Sequence, residues 1–235
     1  MRKKMHSLEK PVDFNTYKQI FMNAINEVLL NSPERSLDEA AFPAYSHPNK
    51  IINEIYWTRL KIVFQEIKSI GNISQSLDYG CGSGILLPFL AHHSEHVMGL
   101  DIDINPSREI QKIIAFPTNI TIKDLNVEPL STLPKNHFDL ITALNVLEHI
   151  DRPQETVDTL IYALKPGGRI IVSLPKENFL YYIGRKIAGK EFTGDYHKSD
   201  YANIVEIFNK KGLIIDLAKG FPYSSIFKIF YLQKK

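Results

Sequence analysis

The chain has 235 residues, of which 44% are hydrophobic and 23% are charged, a composition that suits one globular domain with appendages. Its formal net charge of +2 lacks the basic excess of a nucleic-acid-binding surface, so we expect no nucleic-acid partner. Cys81 is the single cysteine, which excludes an internal disulfide and favours a cytoplasmic location. The polar start, broken by Pro11, does not predict a signal peptide, and no apolar run approaches the roughly 20 residues that span a bilayer.

The first 70 residues predict a helical cap. Apolar residues recur at helical spacing over residues 14–30 and again over residues 51–70. Residues 31–49 lie between them and contain three prolines with few periodic apolar residues. We therefore expect a loop there, one that is able to move.

Residues 71–235 alternate short apolar strands with helical stretches, the pattern of βαβ units and a parallel sheet. The predicted strands are residues 75–79, 96–101, 120–123, 138–144, 168–174, 213–218 and 227–232. The predicted helices are residues 85–92, 107–113, 154–164 and 199–211. A non-helical loop joins the last two strands, so they are expected to pair antiparallel. The sequence thus predicts a doubly wound α/β domain with seven strands.

The strongest local motif is a strand that runs into Gly80, Gly82 and Gly84 and then into a helix. Glycine permits a tight turn and lets a ligand approach the backbone. A dinucleotide-binding fingerprint would have its third glycine at the position of Ile85. Asp78 places a carboxylate beside the turn, which suits an ammonium and a sulfonium better than phosphates. The alternative is a tight connection that binds no ligand.

Acidic residues end the next two strands. Asp101 is the candidate partner for the two hydroxyls of a ribose, with Asp103 as the fallback and Ile102 as a neighbouring contact. Asp124 is a candidate for the exocyclic amine of adenine, and Leu125 would offer its backbone amide to the ring. The alternatives are a solvated acid at the end of a strand and a turn-forming aspartate.

In order and spacing, these motifs resemble those of the class I S-adenosylmethionine-dependent methyltransferases. The resemblance is closest to the small-molecule subgroup, which includes ubiquinone-pathway O-methyltransferases, and it covers residues 70 to 235. It rests on residues 77–84, Asp101, Asp124, residues 138–149 and residues 164–174. It implies a Rossmann-like sheet whose last strand is antiparallel and S-adenosylmethionine as the cofactor. The methionine part would lie over Gly80, Gly82 and Gly84, the ribose on Asp101, and the adenine beside Asp124 and Leu125.

The resemblance also implies where the acceptor binds. The strand 138–144 points its carboxyl end at the ligand crevice, so Leu144 and Asn145 are expected near the transferred methyl group. His149 is the candidate general base because its ordinary pKa near 6.5 allows it to take a proton at neutral pH, and the subgroup often has Glu-His here. The alternative for His149 is helix capping or packing. His197 is a weaker second candidate.

Other segments leave alternatives open. Arg59 is within reach of the cofactor carboxylate in such a fold, but a surface arginine is the favoured interpretation. Residues 175–200 are expected to form a lid or acceptor pocket, and the aromatic and basic residues 179–190 would suit a membrane contact or packing over the sheet. No metal site is expected, since His92 and His93 are simply read as an exposed helix end.

Two rival functions share part of this pattern. A nicotinamide-dependent dehydrogenase has the same glycine turn and acidic ribose ligand, although Ile85 argues against it. A methyltransferase-like module that binds the cofactor without catalysis would keep the same glycines and Asp101. The expected function is therefore methyl transfer from S-adenosylmethionine to an oxygen or nitrogen of a small molecule, with these two alternatives.

Overall fold

The computed structural model describes residues 6–31, 42–175, 199, 201–211, 213–217 and 227–234. His197 and the predicted membrane contact at 179–190 lie outside the described residues, as does nearly all of the predicted lid at 175–200. Within the described ranges, no helix combines the length and the hydropathy needed to cross a membrane.

Three helices form the N-terminal cap, namely α1 (Phe14–Asn31), α2 (Pro43–Ser46) and α3 (Lys50–Ser69). The short helix α2 lies inside the segment predicted to be a loop, because too few residues form it to show a helical period. It is fastened to α3, since the carbonyl of Tyr45 accepts hydrogen bonds from Asn53 Nδ2 at 2.6 Å and Trp57 Nε1 at 3.1 Å.

The main sheet has seven strands, which confirms the predicted number. They are β2 (Ile73–Tyr79), β3 (Ser94–Asp101), β5 (Ile120–Asp124), β6 (Phe138–Leu144), β7 (Leu164–Pro175), β8 (Ile214–Leu217) and β9 (Phe227–Gln233). Their order is β5-β3-β2-β6-β7-β9-β8, and only β9 runs antiparallel to its neighbours. The order reverses between β2 and β6, so both strands point their carboxyl ends at the crevice where ligands of open α/β sheets bind. A separate two-stranded sheet, β1 (His6–Ser7) with β4 (Ile114–Ala115), was not predicted.

Within the described residues, four further helices connect the strands: α4 (Leu87–Ala91), α5 (Asn105–Ile113), α6 (Pro153–Ala163) and α7 (Tyr201–Lys210). The prediction for the first of these was too long. Gly84 has a φ of +74° and its amide bonds back to Cys81, so a turn occupies the positions where the helix was expected to start. Strand β7 begins earlier than predicted, since Leu164 already pairs with Phe138 before an irregularity in the register.

Two large apolar clusters hold the layers together, one on each face of the sheet, and a small third cluster contains Ile55 and Phe227. Helix α1 buries Tyr17, Phe21, Ala24, Ile25 and Val28, residues whose spacing of three and four places them on one side of a helix. Burying a large apolar side chain contributes about 1.5–3 kcal/mol. Helix α1 is therefore part of the core.

Candidate functional site

The glycine turn is fixed to the neighbouring strand. The amides of Gly80 and Cys81 both donate to the carbonyl of Leu100, at 2.7 and 3.1 Å. Gly80 has a φ of +74°, and a Cβ built on it would lie 2.2 Å from Cγ2 of Val146. Only glycine satisfies both the left-handed backbone and this close approach. The contact also shows that the turn after β6 lies directly against the glycine turn.

Asp78 is buried beneath this turn. Its Oδ1 accepts a hydrogen bond of 2.6 Å from the hydroxyl of Thr142 on β6. Burial raises the pKa of Asp78 to about 7, with a smaller contribution from the negative charge of Asp101, while the bond from Thr142 opposes the rise. The carboxyl predicted to stand beside a cationic ligand is therefore a buried acid whose charge state changes near neutral pH.

Asp101 lies at the tip of β3 and contacts the glycine turn. Its Oδ2 accepts the amide of Gly82 at 2.7 Å and its Oδ1 accepts the amide of Asp103 at 3.0 Å. Burial raises the pKa of Asp101, and these amides oppose the rise. Asp103 instead accepts the amide of Asn105 at the start of α5. Of the two acids, the structure thus brings Asp101 to the glycines.

Two large apolar side chains beside Asp101 are exposed. Ile102 is 71% exposed and Val127 is 76% exposed, whereas most other large apolar residues in the described ranges are buried. Ile102 was a predicted cofactor contact, and Val127 was not found from the sequence. Exposed apolar groups at the carboxyl ends of parallel strands suit a flat apolar ligand such as a purine.

The turn after β5 differs from the prediction. The amide of Leu125 donates to the carbonyl of Asp101 at 2.8 Å, so it is not free for a purine ring, and that expectation is wrong. Asp124 Oδ1 accepts the backbone amide and the side-chain amide of Asn126, at 2.8 and 2.9 Å. This geometry matches the alternative of a turn-forming aspartate, because short polar side chains commonly bond the backbone two residues on.

Arg59 is 3% exposed, so the favoured interpretation as a surface arginine is wrong. Its Nη2 donates to the hydroxyl of Tyr45 at 2.6 Å, and its Nη1 donates to Asn145 Oδ1. The rings of Tyr56 and Phe227 each lie 5.1 Å from the guanidinium carbon. Aromatic faces attract a cation, so this cage holds the guanidinium at the carboxyl edge of the sheet, which the sequence could not reveal.

Asn145 connects this cage to the sheet. It has a φ of +58°, a conformation that asparagine tolerates better than most residues. Its amide donates to the carbonyl of Ser173 at 3.0 Å, and its Oδ1 also accepts the hydroxyl of Ser173 at 2.6 Å. Leu144, just before it, is half-buried at the end of β6. The two predicted residues therefore lie together at the strand end, and Asn145 is held by both α3 and β7.

Glu148 and His149 follow in a short 3-10 turn, Leu147–His149. The side chain of His149 is 47% exposed, and its Nε2 lies 3.9 Å from Glu148 Oε1. Glu148 is 3% exposed, and neither of its carboxyl oxygens has a hydrogen-bond partner among the described residues. Burial raises the pKa of Glu148 to about 8, against the opposing positive charge of Arg59. The sequence pointed to His149, but the residue directed inward is Glu148.

His92 and His93 are not a freely exposed helix end, contrary to the prediction. Both are half-buried, and burial lowers the pKa of His92. His92 lines a cavity of about 270 Å³ together with Glu9, Ala91, Pro117, Thr118 and Asn119. This cavity lies at the amino ends of β3 and β5, away from the glycine turn. Within the described part of the chain, no three His, Cys, Asp or Glu side chains are grouped so as to hold a metal ion.

Two O-methyltransferases are similar to this chain in sequence. Ubiquinone biosynthesis O-methyltransferase from Coxiella burnetii is 33% identical over 150 residues, which cover 62% of this chain and 59% of the relative. The namesake from Dechloromonas aromatica is 27% identical over 191 residues, covering 76% of this chain and 79% of the relative. The match thus spans somewhat less than two thirds of the length of the Coxiella proteins.

Solved structures share the fold. Magnesium protoporphyrin IX methyltransferase from Synechocystis, with bound S-adenosylhomocysteine, has a TM-score of 0.57 at 19% identity and covers 93% of this chain and 100% of its own. An N-methyltransferase from Bradyrhizobium japonicum has a TM-score of 0.56 at 16% identity, covering 90% and 98%. A family model described as a methyltransferase domain matches residues 58–210. With this match over more than half of its length, the chain belongs to the methyltransferase domain family.

Proposed function

We propose that the chain transfers a methyl group from S-adenosylmethionine to an oxygen or nitrogen of a small-molecule acceptor. The observation that carries the proposal is the carboxylate of Asp101, held against the amide of Gly82 at the tip of the glycine turn. A carboxylate oxygen has more than one acceptor site, so Asp101 is able to accept ribose hydroxyls while keeping its backbone bonds. Relatives named as O-methyltransferases and membership of the family support the same reaction.

The residues present fit this cofactor. The ribose would lie on Asp101 and the adenine against Ile102 and Val127, whose exposed apolar surfaces it would cover. The methionine part would lie over the glycine turn, with Asp78 beneath it. Asp124 would contribute through the shape of its turn. When bound, the cofactor supplies a methyl group already activated on a sulfonium, so the protein has to orient the acceptor and exclude water.

The acceptor would meet the methyl group near Leu144 and Asn145. The sequence predicted His149 as the general base, and a role in removing the acceptor proton implies that His149→Ala lowers turnover and leaves cofactor affinity nearly unchanged. Full activity of that variant would remove His149 from the reaction. His197 and the contact of residues 179–190 with a membrane remain predictions, as do a cytoplasmic location and the lack of a nucleic-acid partner.

A thermal shift experiment tests the cofactor assignment. A ligand at about 100 times its Kd stabilises the folded state by about 2.7 kcal/mol, which corresponds to roughly 5–10 °C for a domain of this size. S-adenosylmethionine and S-adenosylhomocysteine should raise the melting temperature, and NAD should not. Equal shifts with NAD would favour the dehydrogenase, and no shift with either methionine cofactor would reject the proposal. A shift without methyl transfer to any hydroxylated or amine probe would favour the non-catalytic binding module.

A further inference from the structure

Three buried polar atoms at the carboxyl edge of the sheet have no hydrogen-bond partner among the described residues. They are both carboxyl oxygens of Glu148 and Nε of Arg59. No ion pair joins these two side chains, although the charge of Arg59 acts on the carboxyl. An unpaired buried carboxyl is costly, and a donor from a bound ligand would remove that cost.

The position of Glu148 indicates which ligand would supply the donor. Val146, two residues earlier, packs against Gly80 of the glycine turn. Asn145, three residues earlier, is bonded to Arg59 of α3. The carbonyl of Glu148 accepts the amide of Ser199 at 3.2 Å, which fixes the turn from its other side. Glu148 is thus held beneath the cap and beside the predicted site of the methyl group, whereas His149 is half exposed.

We infer that Glu148, rather than His149, is the group that accepts the proton of the acceptor during methyl transfer. The inference rests on the proposed function and adds a catalytic residue to it. For a hydroxyl acceptor, the bond between carbon and sulfur breaks with its electrons left on sulfur, and a bond between carbon and the acceptor oxygen forms. The acceptor O–H bond breaks, and its proton goes to the carboxylate of Glu148. His149, at 3.9 Å, then passes the proton to solvent.

The charges around Glu148 determine how the reaction should depend on pH. The groups that face the carboxyl are Arg59 and Tyr56 from α3 and His149 from its own turn. Burial raises the pKa of Glu148 to about 8, and only its ionised form is able to accept a proton. A bound sulfonium would lower this pKa because it places a positive charge nearby. The rate should therefore rise with pH, with the midpoint of the rise at or below about pH 8.

The test compares the wild type with Glu148→Gln and His149→Gln, and with Glu155→Gln as a matched control on the exposed start of α6. Calorimetry with S-adenosylhomocysteine comes first, and we expect similar affinities in all four proteins. Single-turnover methyl transfer from S-adenosylmethionine to catechol is then measured from pH 6 to 9. Glu148→Gln should lower the rate by about 100-fold or more and lose the rise with pH, since a general base contributes roughly 10²–10⁴-fold. His149→Gln should lower the rate less and keep the rise.

Each other outcome is decisive. A Glu148→Gln variant that keeps the wild-type rate and pH profile would overturn the inference, as would a His149→Gln variant whose profile becomes flat. Wild type that binds S-adenosylhomocysteine but leaves catechol unmethylated would overturn it too, whereas wild type that binds no cofactor would reject the proposed function itself. Carboxyl NMR of ¹³C-labelled wild type requires no variant to fold. A Glu148 signal that titrates in the ordinary glutamate range would contradict the expected pH profile.

Discussion

Replacing Gly80 by alanine tests the contact between the glycine turn and the turn after β6. The new Cβ would lie 2.2 Å from Cγ2 and 2.8 Å from Cγ1 of Val146, at a φ of +74°. Gly71 provides a matched control, because its φ is +84° and a Cβ there would meet no atom within 4 Å. Both variants place an alanine in a left-handed backbone conformation, but only Gly80→Ala also creates a steric clash with Val146.

The expected magnitudes follow from this geometry. A left-handed conformation costs an L-residue about 1–2 kcal/mol, and overpacking a filled site costs about 1–3 kcal/mol more. Gly71→Ala should therefore lose about 1–2 kcal/mol of unfolding free energy, and Gly80→Ala should lose about 2–5 kcal/mol. In a Val146→Ala background most of the clash should disappear, although Cβ of Val146 would remain 3.1 Å away.

Urea denaturation measures these differences in five proteins: the wild type, Gly71→Ala, Gly80→Ala, Val146→Ala, and the double variant that completes the cycle. Cofactor affinity should fall in Gly80→Ala as well, because Val146 and the turn it belongs to have to move. Equal losses for Gly80→Ala and Gly71→Ala would refute the reasoning. So would a loss in the double variant equal to the sum of the two single losses, since additivity would mean that the two residues do not interact.

Three further variants test the site. Asp101→Asn should weaken S-adenosylhomocysteine binding by about tenfold to a hundredfold, because hydrogen bonds to a charged group contribute about 1.5–3 kcal/mol; unchanged affinity in calorimetry would remove the ribose from Asp101. Burial raises the pKa of Asp78 from 3.8 to about 7, so the folded state binds this proton more tightly than the unfolded state, and stability is lost as pH rises from about 4 to 7. Asp78→Asn should remove up to about 4 kcal/mol of this pH-dependent loss of stability. Urea midpoints of Asp78→Asn that depend on pH as those of the wild type do would contradict this. Arg59→Lys keeps the charge but cannot donate to Tyr45 and Asn145 with one planar group, so we expect a loss of about 1–3 kcal/mol, whereas a surface arginine would show almost none.

The sequence was informative where local pattern and function coincide. Alternating strands and helices predicted the seven-stranded sheet, and Asp101 was predicted at the end of its strand, where the structure shows its carboxylate accepting the amide of Gly82. These features depend on neighbours in the chain and on the parallel arrangement of strand ends. The residues 138–149 were likewise placed at the correct edge of the sheet.

Contacts between distant segments could not be predicted in this way. Arg59 is buried because α3 crosses the sheet edge and meets Phe227 of β9, far along the chain. Glu148 points inward and His149 points outward, and both lie in a short 3-10 turn. Such a turn lacks the repeating pattern of a longer helix or a strand, so the sequence does not indicate which of its side chains is buried. The amide of Leu125 is occupied by Asp101 through a pairing that extends the sheet by one residue.

The fastening of α2 to α3 has a consequence for how ligands enter. Tyr45 binds α3 twice through its carbonyl and once through its hydroxyl, so lifting α2 away from α3 breaks all three bonds. Opening α2 by itself would sacrifice three internal hydrogen bonds, a loss of about 1.5–4.5 kcal/mol. Small molecules would therefore reach the end of β6 more easily if both helices moved together, or by a route that avoids them.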